Sequence, residues 1–323
     1  MPEISVVLPV YNGQEYIKES IQSILQQEFS DFELIITDDA SLDKTPEIVA
    51  SFSDSRIRYT RQESNRGIFG NINAGFQLTK APFVQIFSQD DVMLPACLEE
   101  QKKKFERFPK AGMVFCRFQS INAAGNIAPQ NFDPRMFSEI PPLIPVEHSF
   151  RFFTAFGCLP GNISTVMLRK ESFLEVGKFN ENLPYVGDFE YWVRLGKQYP
   201  ITFNSDKLVL VRGHKKQGGH VLNKNLELLQ QEIPLWISLI HSFPQEKIAS
   251  VEEYVLKIRG AQYMHWIVKV LLKGKWKIAR KGLTQLQAPF SLLRLLKAYI
   301  VTLNSRIKPP WSQILEEYAN SNQ

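Results

Sequence analysis

The stretch Phe87–Pro95, FSQDDVMLP, decides how this chain is read. Phe83, Val84, Ile86 and Phe87 form an apolar run of strand length that ends in two adjacent carboxylates, Asp90 and Asp91. Neighbouring carboxylates at the end of a buried strand repel each other and are costly unless something cationic binds there. The same pattern recurs upstream. Ile4 to Leu8 is a short apolar run that meets Pro9, and Asn12-Gly13 then turns the chain. Ile17, Ile21, Ile24 and Leu25 follow at helical spacing. Phe32 to Thr37 (FELIIT) predicts a second buried strand ending in Asp38-Asp39, and Ser41-Leu42-Asp43 opens a second helix. Ile57 to Thr60 predicts a third strand, Asn65-Arg66-Gly67 a turn, Ile72 and Phe76 a helix, and Phe83 to Ser88 the strand that leads into the acidic pair. Repeated strand–helix units of this kind imply a mostly parallel sheet with its ligand site outside the carboxyl ends of the strands. Pro9-Val10-Tyr11, Asp38-Asp39 and Asp90-Asp91 should then share one edge.

Further along, residues 119 to 147 hold five prolines and little periodicity, which predicts a long loop or β-excursion. Val166 to Leu168 is a strand candidate, and Tyr191, Trp192 and Leu195 predict a helix beginning near Asp188. Past residue 221 the pattern is helical only. The expected division is an α/β domain over residues 1–220 and a helical region over 221–323. Of the net charge of +5, residues 251–323 carry twelve Lys/Arg and four Asp/Glu, a local +8, so residues 1–250 are net −3. An anionic partner is therefore expected at the tail. There Ile267, Val270, Leu271, Gly274 and Ile278 recur beside Lys269, Lys273, Lys277 and Arg280, so the basic C-terminal helices are a candidate for peripheral membrane contact.

Cys97, Cys116 and Cys158 are too few and too scattered for a disulfide framework or a Cys-x-x-Cys metal site and suit a reducing compartment. The opening MPEISVVLPVYNG has no basic segment ahead of its apolar stretch, so it reads as a strand and not as a signal peptide. No apolar run reaches the length of a membrane span. The expected location is cytoplasmic, with the inner face of the plasma membrane as a candidate.

The first turn, PVYNGQEYI, has neither Gly-x-Gly-x-x-Gly nor Gly-Lys-Ser/Thr, so a dinucleotide fingerprint and a P-loop are both excluded. A divalent ion held by Asp90-Asp91 is the remaining way to hold phosphate, because Mg²⁺ or Mn²⁺ takes few protein oxygens and the rest from phosphate and water.

Four ordered segments resemble the family 2 glycosyltransferases of GT-A fold: SVVLPVYNGQEYIKESIQSILQQ, FELIITDDASLDKT, ESNRGIFGNINAGFQLTKAPFVQIFSQDD and RKESFLEVGKFNENLPYVGDFEYWVRL. The resemblance implies an inverting, metal-dependent transfer from a nucleotide-diphosphate sugar, with UDP-sugar the expected donor, in polysaccharide or cell-envelope glycan synthesis. It implies Mn²⁺ or Mg²⁺ as cofactor, a saccharide or lipid-linked acceptor, and no nucleic-acid partner. It places Pro9, Tyr11, Asp38, Asp39 and Arg66 at the nucleotide, Asp90 on the ribose or sugar side, and Asp91 on the metal. It makes Asp188 the base that activates the acceptor hydroxyl. Through VRGHKKQGG it brings Arg212 and His214 to the diphosphate or metal, and Lys215 and Lys216 can add positive charge there. Gln89 stands where many members have the first Asp of the metal motif, and Gly187 replaces the Glu that often precedes the base.

The residues alone leave other readings open. Asp188 could cap the helix that starts at Phe189, and Glu190 is the substitute base. Asn65-Arg66-Gly67 could be a turn only. Asn162-Ile163-Ser164 matches a glycosylation acceptor, and Asn162 is also a candidate for the acceptor side. At the level of function, a nucleotidyltransferase would share the metal carboxylates without needing Asp188, and a silent scaffold would use only the basic tail.

Overall fold

Ile4–Val10 forms β1, a strand with every residue buried. A run of seven buried residues has to lie in the interior of a sheet covered on both faces. β1 is flanked in parallel by β2 (Phe32–Asp38) and β4 (Phe83–Ile86), and β2 by β3 (Ile57–Arg61). The register sets Val10 opposite Asp38 and Val7 opposite Ile86, so the acidic strand ends fall on one edge as expected. α1 (Ile17–Leu25), α2 (Thr45–Ala50) and α3 (Gly67–Leu78) make the crossovers. α3 lies so close to β1 that a Cβ on Gly75 would come within 2.4 Å of Val7 Cγ1.

This computed structural model describes residues 1–129, 137–214, 226–287, 290–304 and 314–315. Beyond β4 the sheet becomes mixed. After β5 (Val92–Met93) and α4 (Cys97–Arg107) come β6 (Met113–Asn122), β7 (Leu143–Ile144), α5 (Ser149–Phe156), β8 (Val166–Arg169), α6 (Lys170–Val176), α7 (Gly187–Gly196) and β9 (Ile201–Gly213). The strand order is β3-β2-β1-β4-β8-β6-β9-β5, with β7 paired to β9. β8 runs antiparallel to β4 and β6, while β6 and β9 are parallel with register shifts around Arg117. Of the long loop or β-excursion expected from residue 119, the described part is β-structured: a strand as far as Asn122, a turn at Gly125 and a bridge between Ile121 and Ile127.

The described residues fall into two compact units, one of Met1–Ser149 and Cys158–His214, the other of Phe150–Gly157 and the described residues beyond His214. In the second unit α5 is joined by α8 (Glu227–Ile240), α9 (Ile248–Val255), a π-helical turn (Leu256–Gly260), α10 (Ala261–Leu272), α11 (Trp276–Gln287) and α12 (Leu292–Asn304). Within it Phe150 meets Phe243 edge-on at 4.7 Å, Arg259 lies over the Trp236 ring, and the Tyr254 hydroxyl donates to the Ala155 carbonyl at 3.1 Å. The apolar spacing read through residues 267–278 is not one helix. Gly274, in the left-handed region at φ +72, divides α10 from α11. Among the described residues no helix is long and apolar enough to cross a membrane.

Candidate active site

At the β2 end, both aspartates are buried and both are used to order loops. Asp38 accepts from the Ser41 N–H at 2.8 Å through Oδ1 and from the Tyr59 hydroxyl at 2.6 Å through Oδ2. Asp39 accepts the backbone N–H groups of Arg66 (Oδ1, 2.8 Å) and Gly67 (Oδ2, 2.9 Å), while its own N–H donates to the Val10 carbonyl at 2.9 Å. Burial pushes the Asp39 carboxyl above its ordinary range, and those two N–H groups oppose the rise. The Asn65-Arg66-Gly67 turn is therefore pinned to the strand end. The Arg66 guanidinium reaches Glu181 at 3.4 Å on the surface. Pro9 lies inside β1, and Tyr11 just beyond it is 44% exposed.

At the β4 end, Gln89 clamps Tyr11. Its Oε1 accepts the Tyr11 N–H at 2.9 Å and its Nε2 donates to the Tyr11 carbonyl at 3.1 Å. A carboxylate could accept but not donate, which gives the departure at this position a physical role. Gly13 makes room for the clamp, since a Cβ there would stand 2.4 Å from Gln89 Oε1.

The two carboxylates of the pair face different surroundings. Asp91 is 1% exposed, with Oδ2 accepting the Ser164 hydroxyl at 2.5 Å and Oδ1 the Arg212 backbone N–H at 2.9 Å. Burial pushes its carboxyl up to about 7 against those hydrogen bonds. Asp90 lies beside His214, Oδ2 to Nε2 3.2 Å. Burial also raises the Asp90 carboxyl, with His214 and Arg212 opposing. His214 Nε2 therefore faces the Asp90 carboxylate as an ion pair, while its buried Nδ1 has no hydrogen-bond partner among the described residues. Arg212 is buried as a brace. Its Nε donates to the Asp90 carbonyl at 2.8 Å, Nη2 meets Glu19 at 2.6 Å, and the guanidinium covers the Tyr16 ring at 4.8 Å.

Asn162 has its side-chain oxygen occupied by the Ser164 N–H at 2.7 Å. The Asn-x-Ser pattern is here an Asx turn that presents the Ser164 hydroxyl to Asp91. Asp188 stands in the first turn of α7, whose N-cap is Val186, so it is not the cap. Helical geometry begins at Gly187, where a Cβ would lie 2.6 Å from the Phe69 ring, so a larger residue has no room. The Cys158 thiol approaches Asp188 Oδ2 at 3.8 Å. Glu190 is held by Arg194 through both oxygens, at 2.9 and 3.1 Å, and Asp188 Oδ1 accepts the Phe189 N–H at 2.7 Å. Lys215 and Lys216 lie outside the described residues.

Asp90, Asp91, Arg212 and His214 are thus brought together, tied to Asn162 through Ser164, and Asp38, Asp39 and Arg66 form a second group joined to the first through Val10 and the Tyr11–Gln89 clamp. Sequence reasoning missed Ser164 and Glu19, whose partners lie 73 and 193 residues away. The only local signal was the Asn-x-Ser turn.

Among the described residues no cluster of three or more His, Cys, Asp or Glu side chains is placed to hold a metal. His214 and Asp90 nonetheless offer one imidazole and one carboxylate donor, the kind a Mn²⁺-type ion can take alongside ligands from phosphate and water.

The family model for Glycosyl transferase family 2 matches residues 5–176. The chain is 27% identical over 272 residues to an uncharacterized glycosyltransferase of Rickettsia felis, covering 81% of this chain and 42% of that protein. It therefore spans less than half the length of that relative. It is 30% identical over 206 residues to the GalNAc(5)-diNAcBac-PP-undecaprenol beta-1,3-glucosyltransferase of Campylobacter jejuni, 61% of each chain. Among solved structures, S. aureus TarS 1-349 in complex with UDP-GlcNAc superposes with a TM-score of 0.62 at 18% identity, covering 78% of this chain and 70% of that one. The same fragment in complex with UDP gives 0.56 at 16% identity, covering 96% and 93%. At such identities the likeness shows the shared fold.

Proposed function

The chain belongs to glycosyl transferase family 2, and from the site its GT-A fold builds we propose that it transfers a sugar from a nucleoside-diphosphate sugar, UDP-sugar first among them, to a hydroxyl of a glycan or lipid-linked acceptor with inversion. The observation that carries this reading is the buried Asp90–His214 pair, Oδ2 to Nε2 3.2 Å. It lies on the same strand edge as the Asp39-pinned turn and the clamped Tyr11. The UDP moiety in the TarS fragment and the undecaprenol-linked acceptor in the name of the Campylobacter relative support the donor and acceptor classes.

In this reading Asp90 and His214 would hold a divalent cation, Mn²⁺ or Mg²⁺, in place of the Asp91 that the family resemblance implied, because both Asp91 oxygens accept hydrogen bonds, from Ser164 and the Arg212 N–H, that fix the loop. When bound, the ion supplies positive charge against the negative charge that develops on the leaving diphosphate. Pro9 and Tyr11 border the nucleoside, and Asp38, Asp39 and Arg66 shape its pocket. Asp188 Oδ takes the proton of the acceptor hydroxyl as that oxygen bonds to the anomeric carbon and the carbon–diphosphate bond breaks. A single displacement inverts the centre, and a positioned base of this kind contributes about 10²- to 10⁴-fold in rate. Arg212 supports the site as a brace and Asn162 through its turn. The product belongs to polysaccharide or cell-envelope glycan synthesis. The free thiols of Cys97, Cys116 and Cys158 support a cytoplasmic location.

Asp188→Asn tests the assignment. Transfer to acceptor should fall by at least about 100-fold while UDP affinity, measured by calorimetry with Mn²⁺, stays within about twofold. Unchanged turnover in this variant would remove the base and favour a nucleotidyltransferase.

A further inference from the structure

We propose that the outward face of α12, in the helical unit, docks on an anionic lipid bilayer. An amphipathic helix ordinarily turns its apolar residues inward and its charges outward. α12 does so only in part. Leu295 and Ala298 are buried, yet Leu292, Leu293, Leu296, Ile300 and Val301 are between 39% and 77% exposed. At 100° per residue these five positions fall on one half of the helix, opposite Leu295 and Ala298, with Lys297 among them. Nearby in sequence, Leu272 at the end of α10 and Trp276 at the start of α11 are 82% and 69% exposed.

Charge identifies the occupant. Residues 254–315 contain twelve Lys/Arg and no Asp or Glu. Lys269, Lys273, Lys275, Lys277, Arg280 and Lys281 are all exposed. In the same unit Arg294 is paired with Glu252 and Lys257 with Glu253, so the two acidic residues that precede the stretch are already engaged. An apolar face accompanied by cations of one sign matches a surface that is apolar beneath and anionic above. A second copy of this chain would satisfy only half of that pattern, since it brings the same positive charge. The inference depends on no part of the sugar-transfer reading.

The test uses the full chain and vesicles of phosphatidylcholine alone or with roughly a third phosphatidylglycerol. Sedimentation with the anionic vesicles and not the neutral ones, weakening as salt is raised, is expected. The triple change Leu293→Ser, Leu296→Ser and Ile300→Ser, all at exposed positions, should reduce partition at least about tenfold with circular dichroism and melting temperature unchanged. Lys297→Gln alone should reduce it about fivefold. Equal sedimentation of parent and triple variant overturns the proposal. So does a parent that fails to bind anionic vesicles, including one that forms a dimer in sedimentation velocity which the triple variant dissociates, because the face would then be a self-association surface. If transfer fails but vesicle binding behaves as stated, the enzymatic reading alone is lost.

Discussion

Replacing Ser164 with Ala isolates the one hydroxyl on which the acidic loop hangs. It is fully buried, donates to Asp91 Oδ2 at 2.5 Å and accepts the Ser88 N–H at 2.9 Å. The first is a hydrogen bond to a carboxylate, worth about 1.5 to 3 kcal/mol, and the second leaves a buried amide unsatisfied at about 1 to 3 kcal/mol. A loss of about 3 kcal/mol follows, which for a unit of this size lowers the melting temperature by roughly 6 to 12 °C. The assay is urea unfolding of the apo chain, with the double variant Asp91→Asn/Ser164→Ala as control. In Asp91→Asn the Arg212 N–H claims the amide oxygen, so the Ser164 hydroxyl has already lost its acceptor and its removal should destabilise less. The two changes should therefore miss additivity by more than about 0.5 kcal/mol. A single variant within about 0.5 kcal/mol of the parent, or strict additivity, refutes the reasoning.

The Tyr11 clamp and the Asp39 staple give separate tests. Gln89→Glu keeps the acceptor for the Tyr11 N–H and loses the donor to its carbonyl, so KM for the nucleotide sugar should rise about fivefold with kcat little changed; steady-state kinetics at varied donor decide it. Burial raises the Asp39 carboxyl in the folded state. Its favourable contribution is therefore fully present below the ordinary Asp range and is lost as pH rises through the folded value. Asp39→Asn lacks that loss. Its stability relative to the parent should improve across the window just above about pH 3.9, although the amide can accept only one of the two N–H groups and the variant should be weaker overall. A pH-independent difference in apo denaturation would contradict this.

Much of the framework was legible because the strands that matter are continuous β-branched runs. Phe32 to Thr37 extends in the structure by one residue to Asp38, and Val166 to Leu168 by one to Arg169. Phe83 to Ser88 stops at Ile86, because the Ser88 N–H leaves the ladder for Ser164. β9 was not visible: its exposed Ser205, Asp206 and Lys207 interrupt the apolar pattern at the register shift against β6. The glycines at 13, 75 and 187 carry information that spacing cannot show, since each is small for the sake of a residue far away in sequence. The acidic doublets, Arg66 and Arg212 were found, but Tyr59, Ser164 and Glu19 were not, because they reach their partners only through the folded sheet.

Those partners change what an aspartate doublet at a strand end does. Of the eight oxygens on Asp38, Asp39, Asp90 and Asp91, six accept a hydrogen bond from Ser41, Tyr59, Arg66, Gly67, Ser164 or Arg212. Each of these bonds ties a loop to the sheet edge. Asp90 differs, because the group its carboxylate faces is the His214 imidazole, as an ion pair and not as a loop tie. Asp90 lies in a turn whose Asp91 N–H returns to the Ser88 carbonyl at 3.4 Å, so the doublet can turn one carboxylate toward the scaffold and leave the other for a ligand. Repulsion within the pair is then offset on one side by donors built into the fold. On the other side it is left for an external charge to offset, and ligand binding should accordingly depend on Asp90 more than on its neighbour.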